Sequence, residues 1–306
     1  MGRVGFGQLI VILGCPRSGT TWLHGMLADR PEIAGLGETY LFTEYVGELR
    51  RAFERRRSAR VGLDKVLDAV EFRDCLRAFA SDALGRISAG RPGVCALLEK
   101  TPSNALVWRE IRALFPDALL VHVLRDPRDV VASLRAAGRS WGRSWAPTGV
   151  VGAARLWLRF VESALDVEDD PRGIVVRYES LLADTPRALA RVCAAAGLPA
   201  SPQWCEDVSG RHSFEQRTAG QRSGPEHFLR RGRAGAWSDD LSRRDVRIVE
   251  HIAGSLMDRL GYARATKPRA WRPFGLIAHD VLRSAGPILN RRARLVFRRW
   301  LGLPDP

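Results

Sequence analysis

The fold is decided by one stretch near the start of the chain, residues 8–22, which reads QLIVILGCPRSGTTW. Residues 8–13 form a continuous β-rich run, which is typical of a parallel strand buried on both faces. Residues 14–21 predict a turn, and Trp22–Asp29 has helical spacing that ends before Pro31. A loop between a buried strand and a helix is an anion site, because backbone N–H groups converge there and the helix N-terminus carries about half a positive charge.

Strands alternate with helices through most of the remaining chain. Three more strand-like runs lie at 94–98, 118–124 and 174–178. The helical patterns between and after them lie at 48–90, 129–137, 186–196 and 241–260, and a Gly- and Arg-rich loop is expected at 215–235. This alternation predicts right-handed βαβ units, and therefore a single α/β domain in which helices flank a central parallel sheet.

The net charge is +14, and only three of the 48 basic residues are lysines. The arginine excess has two explanations, which the sequence leaves open. A coding bias would spread arginine everywhere, whereas a polyanionic ligand would concentrate some of it in a cleft. The five cysteines include no CxxC pair and no histidine cluster accompanies them. That usage argues against a disulfide framework and against a metal site, and it favours a reducing cytoplasm.

Residues 267–306 are expected to form a basic extension beyond a domain of residues 1–266. The extension carries Trp271, Phe274, Phe297 and Trp300 among its arginines. This mixture fits peripheral contact with an anionic membrane, and it fits an ordinary helix packed on the domain equally well. No apolar run approaches the ~20 residues that span a bilayer, and the start of the chain has no signal-peptide pattern, so a cytoplasmic location is expected.

The loop at 14–21 has the glycine spacing of a nucleotide-binding loop but lacks its lysine. Gly14 and Gly19 match the two glycines of a Walker A loop, and Thr20 stands where the lysine should be. A cation lies inside the loop instead, at Arg17. These features favour a nucleotide other than a magnesium triphosphate, and they leave a degenerate P-loop kinase as the rival enzyme. Nucleic-acid binding would explain the charge, but no known nucleic-acid motif is present, so no nucleic-acid partner is expected.

Pro16–Trp22 resembles the 5′-phosphosulfate-binding loop of sulfotransferases that use 3′-phosphoadenosine-5′-phosphosulfate (PAPS). The resemblance implies a P-loop NTPase-like sulfotransferase fold, and transfer of a sulfuryl group from PAPS to an acceptor, which leaves adenosine 3′,5′-bisphosphate (PAP). It also implies that Arg17 contacts the sulfuryl group and the leaving phosphate, and that Trp22 lies against the adenine. The residues assigned to this loop site are Arg17, Ser18, Gly19, Thr20, Thr21 and Trp22.

Further segments resemble the same family in the same order, so that the likeness runs from about residue 9 to about residue 262. The segment VLRDPRDVVAS (123–133) matches the family's 3′-phosphate site, and FLRRGRAGAW (228–237) matches its Arg-Lys-Gly segment at the same phosphate. The residues that the resemblance assigns to this phosphate are Arg125, Ser133, Arg230, Arg231 and Gly232. Tyr178 resembles a strand-end tyrosine beside the adenine, and Phe214 lies in an expected adenine-flanking segment, although core packing explains both side chains equally well.

The catalytic residues that the resemblance implies are Arg17, Lys100 and Glu38. Lys100 belongs to a Lys-Thr pair that the family also carries after the second strand. Cytosolic sulfotransferases place a histidine base just after that pair, where this chain has Pro102. Carbohydrate and tyrosylprotein sulfotransferases carry a catalytic glutamate at the position of Glu38, so we expect Glu38 to be the general base.

The acceptor is the part that the sequence constrains least. A hydroxyl of a glycan, glycolipid or small metabolite is expected, with a tyrosine or another phenol as the alternative. His24 and Glu99 are alternative bases. The segments 39–90 and 138–160, together with the long loop, are expected to shape the acceptor site. Trp141, Trp145 and Trp157 of these segments suit sugar faces or aromatic rings, and they suit a protein core equally well.

Overall fold

The computed structural model describes residues 7–55, 61–88, 91, 93–219 and 231–266. The chain forms two compact units. Unit 1 comprises residues 1–125 and 160–220, and unit 2 comprises residues 126–159 and 221–306. Arg230 and the expected extension 267–306 lie outside the described residues, so the boundary at residue 266 stays a prediction.

Unit 1 is built on a five-stranded parallel sheet with the strand order β2-β3-β1-β4-β5. The strands are β1 (Gln8–Gly14), β2 (Ile33–Gly35), β3 (Ala96–Lys100), β4 (Leu119–Leu124) and β5 (Gly173–Arg177). β1 is central, because Ile10 pairs with Leu98 of β3 on one side and with Leu119 of β4 on the other. The predicted α/β fold with a parallel sheet is confirmed.

The described residues contain twelve α-helices. They are α1 (Thr20–Ala28), α2 (Gly47–Arg55), α3 (Ala69–Ser88), α4 (Trp108–Leu114), α5 (Pro127–Arg139), α6 (Val150–Ser163), α7 (Tyr178–Ala183), α8 (Thr185–Ala195), α9 (Pro202–Arg211), α10 (Phe214–Ala219), α11 (Trp237–Asp240) and α12 (Arg243–Arg259). A π-helix, Leu41–Val46, precedes α2. Two expectations are corrected: Tyr178 begins a helix rather than ending a strand, and the expected loop at 215–235 begins as α10.

The core of unit 1 joins the sheet to α1 and α8. Leu23 and Met26 of α1 and Leu189 of α8 belong to one buried cluster with Ile10 and Ile12 of β1. Each such side chain contributes about 1.5–3 kcal/mol relative to leaving it exposed to water. This packing fixes β1 and α1 relative to each other, so the loop between them is held at the carboxyl end of the central strand.

Unit 2 is organised by buried carboxylates on α5 and α12. Asp126 caps α5 by accepting from the backbone N–H of Arg128 (2.8 Å). The Arg128 guanidinium bridges Asp126 (2.7 Å) and Glu250 of α12 (2.9 Å). Glu250 also accepts from the backbone N–H groups of Ala265 (2.7 Å) and Thr266 (2.9 Å). Removing one partner of a buried pair of this kind costs about 3–5 kcal/mol, because the remaining charge stays buried without compensation.

The described part of the chain contains neither a candidate membrane span nor a candidate metal-binding cluster. No helix there combines the length and the apolar character that crossing a membrane requires. No group of three or more His, Cys, Asp or Glu side chains there is placed to hold a metal ion.

Candidate active site

The loop between β1 and α1 has a left-handed backbone at Gly14 (φ 149°), Arg17 (φ 75°) and Gly19 (φ 100°). A Cβ at Gly14 would lie 2.5 Å from the carbonyl oxygen of Val123, and one at Gly19 would lie 2.6 Å from Cδ2 of Tyr178. Both glycines are therefore required by close contacts as well as by backbone conformation. Arg17 adopts the left-handed conformation without being glycine, which costs about 1–3 kcal/mol and is concentrated at functional sites.

The interior of this loop is shaped for an anion. Ser18 and Thr20 are buried, and Ser18 Oγ has no hydrogen-bond partner among the described residues. Buried hydroxyl groups are nearly always hydrogen-bonded in native proteins, so this one fits an external oxygen such as that of a phosphate. α1 begins at Thr20 and has no acidic residue in its first turn. The helix N-terminus therefore adds its favourable field for an anion without a competing carboxylate.

An arginine and two aromatic rings pack beside the loop. The Arg125 guanidinium lies over the Tyr178 ring, with Cζ 3.9 Å from the ring centroid, and its Nη1 donates to the carbonyl oxygen of Arg17 (3.2 Å). The Trp22 ring meets Tyr178 edge to face, with centroids 5.8 Å apart, and Trp22 Nε1 donates to the carbonyl oxygen of His212 (2.9 Å). Four residues that the sequence analysis named in three separate segments, Arg17, Trp22, Arg125 and Tyr178, thus form one cluster.

Lys100 and Glu38 form the second cluster. Lys100 ends β3, and its Nζ donates to Glu38 Oε1 (2.6 Å) and to Thr21 Oγ1 (3.3 Å). The Lys100 side chain is 6% exposed and that of Glu38 is 37% exposed. The ammonium is therefore enclosed by the protein, whereas the carboxylate opens to solvent on one side, where an acceptor can approach it.

Tyr40 holds the other oxygen of the Glu38 carboxylate. Its hydroxyl donates to Glu38 Oε2 (2.9 Å), and its backbone N–H donates to Thr101 Oγ1 (3.3 Å). Burial and the hydrogen bond to Glu38 raise the pKa of Tyr40 to about 12, so the phenol stays protonated and keeps donating. Tyr40 also has a positive φ of 53°. The backbone after Glu38 is thus strained and tied to the end of β3.

Glu99 is the buried carboxylate that connects residues 39, 101 and 104 by hydrogen bonds. It is fully buried, and its carboxylate accepts from Thr39 Oγ1 (2.8 Å), Thr101 Oγ1 (2.5 Å) and Asn104 Nδ2 (2.5 Å). Burial raises the pKa of Glu99, and the three donors oppose the rise. Because these donors surround the buried carboxylate, Glu99 is better suited to position residues 39–40 than to take a proton from an acceptor.

His24 lies in the same region, on α1. Burial and the nearby Lys100 ammonium lower the pKa of His24, while a hydrogen bond to the Leu36 backbone opposes the shift. Its Nε2 is buried without a hydrogen-bond partner in the described residues. His24 is therefore a neutral imidazole close to Lys100, and it stays the alternative base.

Arg217 is a further candidate residue that sequence reasoning missed. It lies on α10, three residues after Phe214, and is half-buried. Burial lowers the pKa of Arg217, and the neighbouring Tyr178 opposes this shift. A guanidinium next to Tyr178 adds a second cation to the cluster of Arg125. The available signal was the three-residue spacing from Phe214, which places both side chains on neighbouring positions of one helix.

The remaining expected residues belong to unit 2. Ser133 is buried on α5. Arg231 is exposed and pairs with Asp240 (3.2 Å), and Gly232 has a left-handed backbone with φ 62°. On α5, Asp129 accepts from the backbone N–H groups of residues 235 and 237, both at 2.9 Å, which ties the segment after Gly232 to that helix. Arg230 lies outside the described residues.

Comparison with known proteins connects this geometry to a family. The sequence profile of the sulfotransferase family matches residues 9–202, more than half of the chain. Nodulation protein NoeE of Sinorhizobium fredii is 25% identical over 323 aligned positions, which cover 95% of this chain and 73% of that protein.

Solved structures show the same fold. The sulfotransferase domain from the curacin biosynthetic pathway is 20% identical, with a TM-score of 0.51 over 82% of this chain and 98% of that chain. Mouse sulfotransferase SULT7A1, complexed with PAP, is 15% identical, with a TM-score of 0.54 over 83% of this chain and 86% of that chain. The matched profile includes the β1 loop, Glu38, Lys100 and Arg125, so the chain belongs to the sulfotransferase family of transferase enzymes.

Proposed function

We propose that this sulfotransferase uses PAPS as its donor and transfers the sulfuryl group to an acceptor hydroxyl, with Glu38 as the general base. The observation that carries the proposal is the position of Lys100. Its Nζ donates both to Thr21, in the first turn of α1, and to Glu38. One enclosed ammonium thus connects the anion-binding loop to a half-exposed carboxylate, which is the arrangement that sulfuryl transfer needs.

The donor contacts follow from the loop and from the cluster of Arg125. The hydroxyls of Ser18, Thr20 and Thr21, with the backbone N–H groups of the loop, hold the 5′-phosphate. Arg125 is assigned to the 3′-phosphate, because a guanidinium provides a fork of donors that matches a phosphate dianion. Trp22 and Tyr178 flank the adenine, and Phe214 is assigned there by the family resemblance alone. The PAP in the SULT7A1 structure supports this choice of donor.

The contribution of unit 2 to the donor site rests on resemblance. Ser133, Arg230, Arg231 and Gly232 are assigned to the 3′-phosphate with Arg125. Arg231 is already paired with Asp240 at 3.2 Å. Because both partners are on the surface, that pair is worth only about 0–1 kcal/mol, and a phosphate can replace the carboxylate.

The chemical step is an in-line displacement at sulfur. The acceptor oxygen forms a bond to sulfur as Glu38 takes its proton, and the bond between sulfur and the bridging phosphate oxygen breaks. Negative charge develops on that phosphate oxygen. Arg17 within the loop and Lys100 at the end of β3 are the cations assigned to stabilise this charge and the sulfuryl oxygens. Tyr40 keeps the carboxylate of Glu38 in place throughout.

The acceptor is assigned to the glycan, glycolipid or small-metabolite class. In unit 2, Trp157 is fully buried and belongs to the core. Trp145 is 44% exposed and lies 5.5 Å from Trp141 between ring centroids. Of the three tryptophans considered from the sequence, this pair supports an aromatic platform for a sugar face, and Trp157 does not.

The test compares Glu38→Gln with Glu162→Gln, which alters an exposed carboxylate on α6. Transfer from radiolabelled PAPS and binding of PAP by calorimetry are measured for both variants. Glu38→Gln should lower kcat by about 10²- to 10⁴-fold, the usual contribution of a general base, and leave the affinity for PAP unchanged. Glu162→Gln should behave as the unmodified protein. Transfer by Glu38→Gln at a rate near that of the control would refute the assignment.

A further inference from the structure

A cavity of about 190 Å³ lies in unit 1 between α2, α3 and α4. Its wall is mainly apolar, with Val46, Phe53, Phe72, Leu76 and Leu114 among its lining residues. The rings of Phe53 and Phe72 are stacked, with centroids 4.0 Å apart and an angle of 5° between their planes. An apolar wall of this kind favours an apolar occupant, because such an occupant gains free energy when it leaves water.

Four charged residues line the cavity; three of them compensate one another, and the fourth, Arg73, is exposed to solvent. Arg50 pairs with Glu54 (3.2 Å) and with Glu110 (2.9 Å), and all three line the cavity. A guanidinium shared by two carboxylates is a poor site for an anion. The apolar wall is therefore the feature that decides what the cavity binds.

The cavity is connected to the candidate base by one short segment. Tyr40, whose hydroxyl donates to Glu38, is followed at once by the π-helix Leu41–Val46. The last residue of that helix, Val46, lines the cavity. Six residue steps therefore separate Tyr40, which holds the candidate base, from a residue of the cavity wall. π-Helices are rare and frequently mark functional sites, which agrees with a role for this segment in substrate binding.

The segment that forms much of the cavity wall is rich in exposed apolar side chains. Of the ten large apolar side chains that are exposed in the described part of the chain, nine lie between Tyr40 and Ile87. They include Tyr45 of the π-helix, Leu49 of α2 and Val70 of α3, and each of these elements also contributes residues to the cavity wall. Single exposed apolar side chains are common in soluble proteins, so the apolar wall itself is the observation that indicates an apolar ligand. The cavity thus lies within the segment of unit 1 that is best suited to apolar ligands.

We propose that the acceptor is amphiphilic: its reacting hydroxyl approaches Glu38, and an acyl or alkyl chain of the same molecule enters this cavity. The inference rests on the proposed function, because Glu38 defines where the hydroxyl lies. The cavity, at about 190 Å³, exceeds the space that one water-sized group needs, so several groups of the chain can enter it. Those groups would be buried against the apolar wall.

The first experiment varies the chain of the acceptor. Alkyl glucosides from methyl to octyl are offered with radiolabelled PAPS, and KM is measured for each. KM should fall by up to about fourfold for each added methylene that becomes buried. A KM that is the same from methyl to octyl, together with measurable transfer, would overturn the cavity and leave the proposed function intact.

The second experiment blocks the cavity. Ala69 and Ala113 are exposed alanines at its wall, so Ala69→Trp and Ala113→Trp fill it without removing core side chains. Ala78→Trp is the matched control, because Ala78 is exposed on the same helix nine residues further along, on its opposite side. The two wall variants should lose the dependence of KM on chain length and keep the affinity for PAP, which also shows that they are folded. A dependence that persists in both would refute the proposal.

A binding readout decides the case in which no glucoside is sulfated. A fluorescent fatty acid is bound to the protein without donor, and octyl glucoside is added as competitor. Octyl glucoside should displace the probe from the unmodified protein and from Ala78→Trp, and both wall variants should bind the probe weakly. This result would support the cavity as an apolar binding site even if the proposed function failed. Absence of probe binding to the unmodified protein, or equal binding by all variants, would overturn the cavity.

Discussion

Arg125→Ala should weaken the binding of PAP far more than the binding of adenosine 5′-monophosphate, which lacks the 3′-phosphate. Arg125 has one proposed function and one observed contact, and this comparison separates them. Its guanidinium stacks on Tyr178 at 3.9 Å, where it is assigned to the 3′-phosphate, and it donates to the carbonyl oxygen of Arg17 at 3.2 Å, where it supports the loop. Only the first function depends on the phosphate that distinguishes the two ligands.

The expected magnitude follows from the hydrogen bonds at stake. One charge-assisted hydrogen bond contributes about 1.5–3 kcal/mol, so losing it should weaken PAP binding roughly 10- to 150-fold. Arg125→Lys keeps the charge but not the planar fork of donors or the stack on the ring. Its affinity for PAP should therefore lie between that of the unmodified protein and that of Arg125→Ala. Arg159→Ala, an exposed arginine on α6, corrects for the loss of one positive charge from a strongly basic protein.

Titration calorimetry with both nucleotides at constant salt is the assay. If Arg125→Ala weakens PAP and adenosine 5′-monophosphate equally, then Arg125 acts through the Arg17 carbonyl and the assignment to the 3′-phosphate is wrong. If Arg159→Ala weakens PAP as strongly as Arg125→Ala does, the effect is one of overall charge.

Two further predictions concern the loop and the buried carboxylate. Gly19→Ala should weaken PAP binding and destabilise the fold by about 1–3 kcal/mol, because the added Cβ would lie 2.6 Å from Tyr178 in a left-handed backbone. Gly210→Ala, in an open helical position, should instead stabilise the fold by about 0.5–1 kcal/mol. Equal midpoints of urea unfolding for the two variants would contradict this prediction. Burial raises the pKa of Glu99 above its ordinary 4.5, so its stabilising contribution is complete below pH 4.5 and is lost as pH rises through the folded-state pKa. The free energy of unfolding of Glu99→Gln, relative to the unmodified protein, should therefore rise with pH in that window; a flat or falling difference would count against it.

The central part of the fold is readable from sequence because its signals are contiguous. Residues 8–22 contain a whole strand, its loop and the start of the helix, and the structure keeps all three with shifts of one or two residues. β2 was missed because three residues, Ile33–Gly35, are too few to show a period. Tyr178 was placed on a strand because its apolar run gives no sign of where the strand stops, and the helix begins at that residue.

The site was less predictable, since it depends on contacts between distant segments. The family resemblance named Glu38 and Lys100 separately, but the bond between them requires the parallel pairing of β2 with β3, in which Gly35 lies beside Leu98. The sequence analysis named Glu99 only as an alternative general base. Its bonds to Thr39, 60 residues earlier in the chain, and to Asn104 depend on tertiary folding, which no local pattern reports.

The close contacts of Gly14 and Gly19 determine the shape of the loop before any ligand binds. One glycine lies against the backbone of β4 and the other against the Tyr178 ring, so the shape of the loop is set during folding. Ordering a flexible backbone costs about 1–2 kcal/mol per residue, and a loop that is already ordered spares the ligand most of that cost. If the donor is PAPS, as proposed, its product PAP keeps both phosphates after the sulfuryl group has left. Donor and product would then compete for one preformed loop, so the proposed function predicts inhibition by PAP.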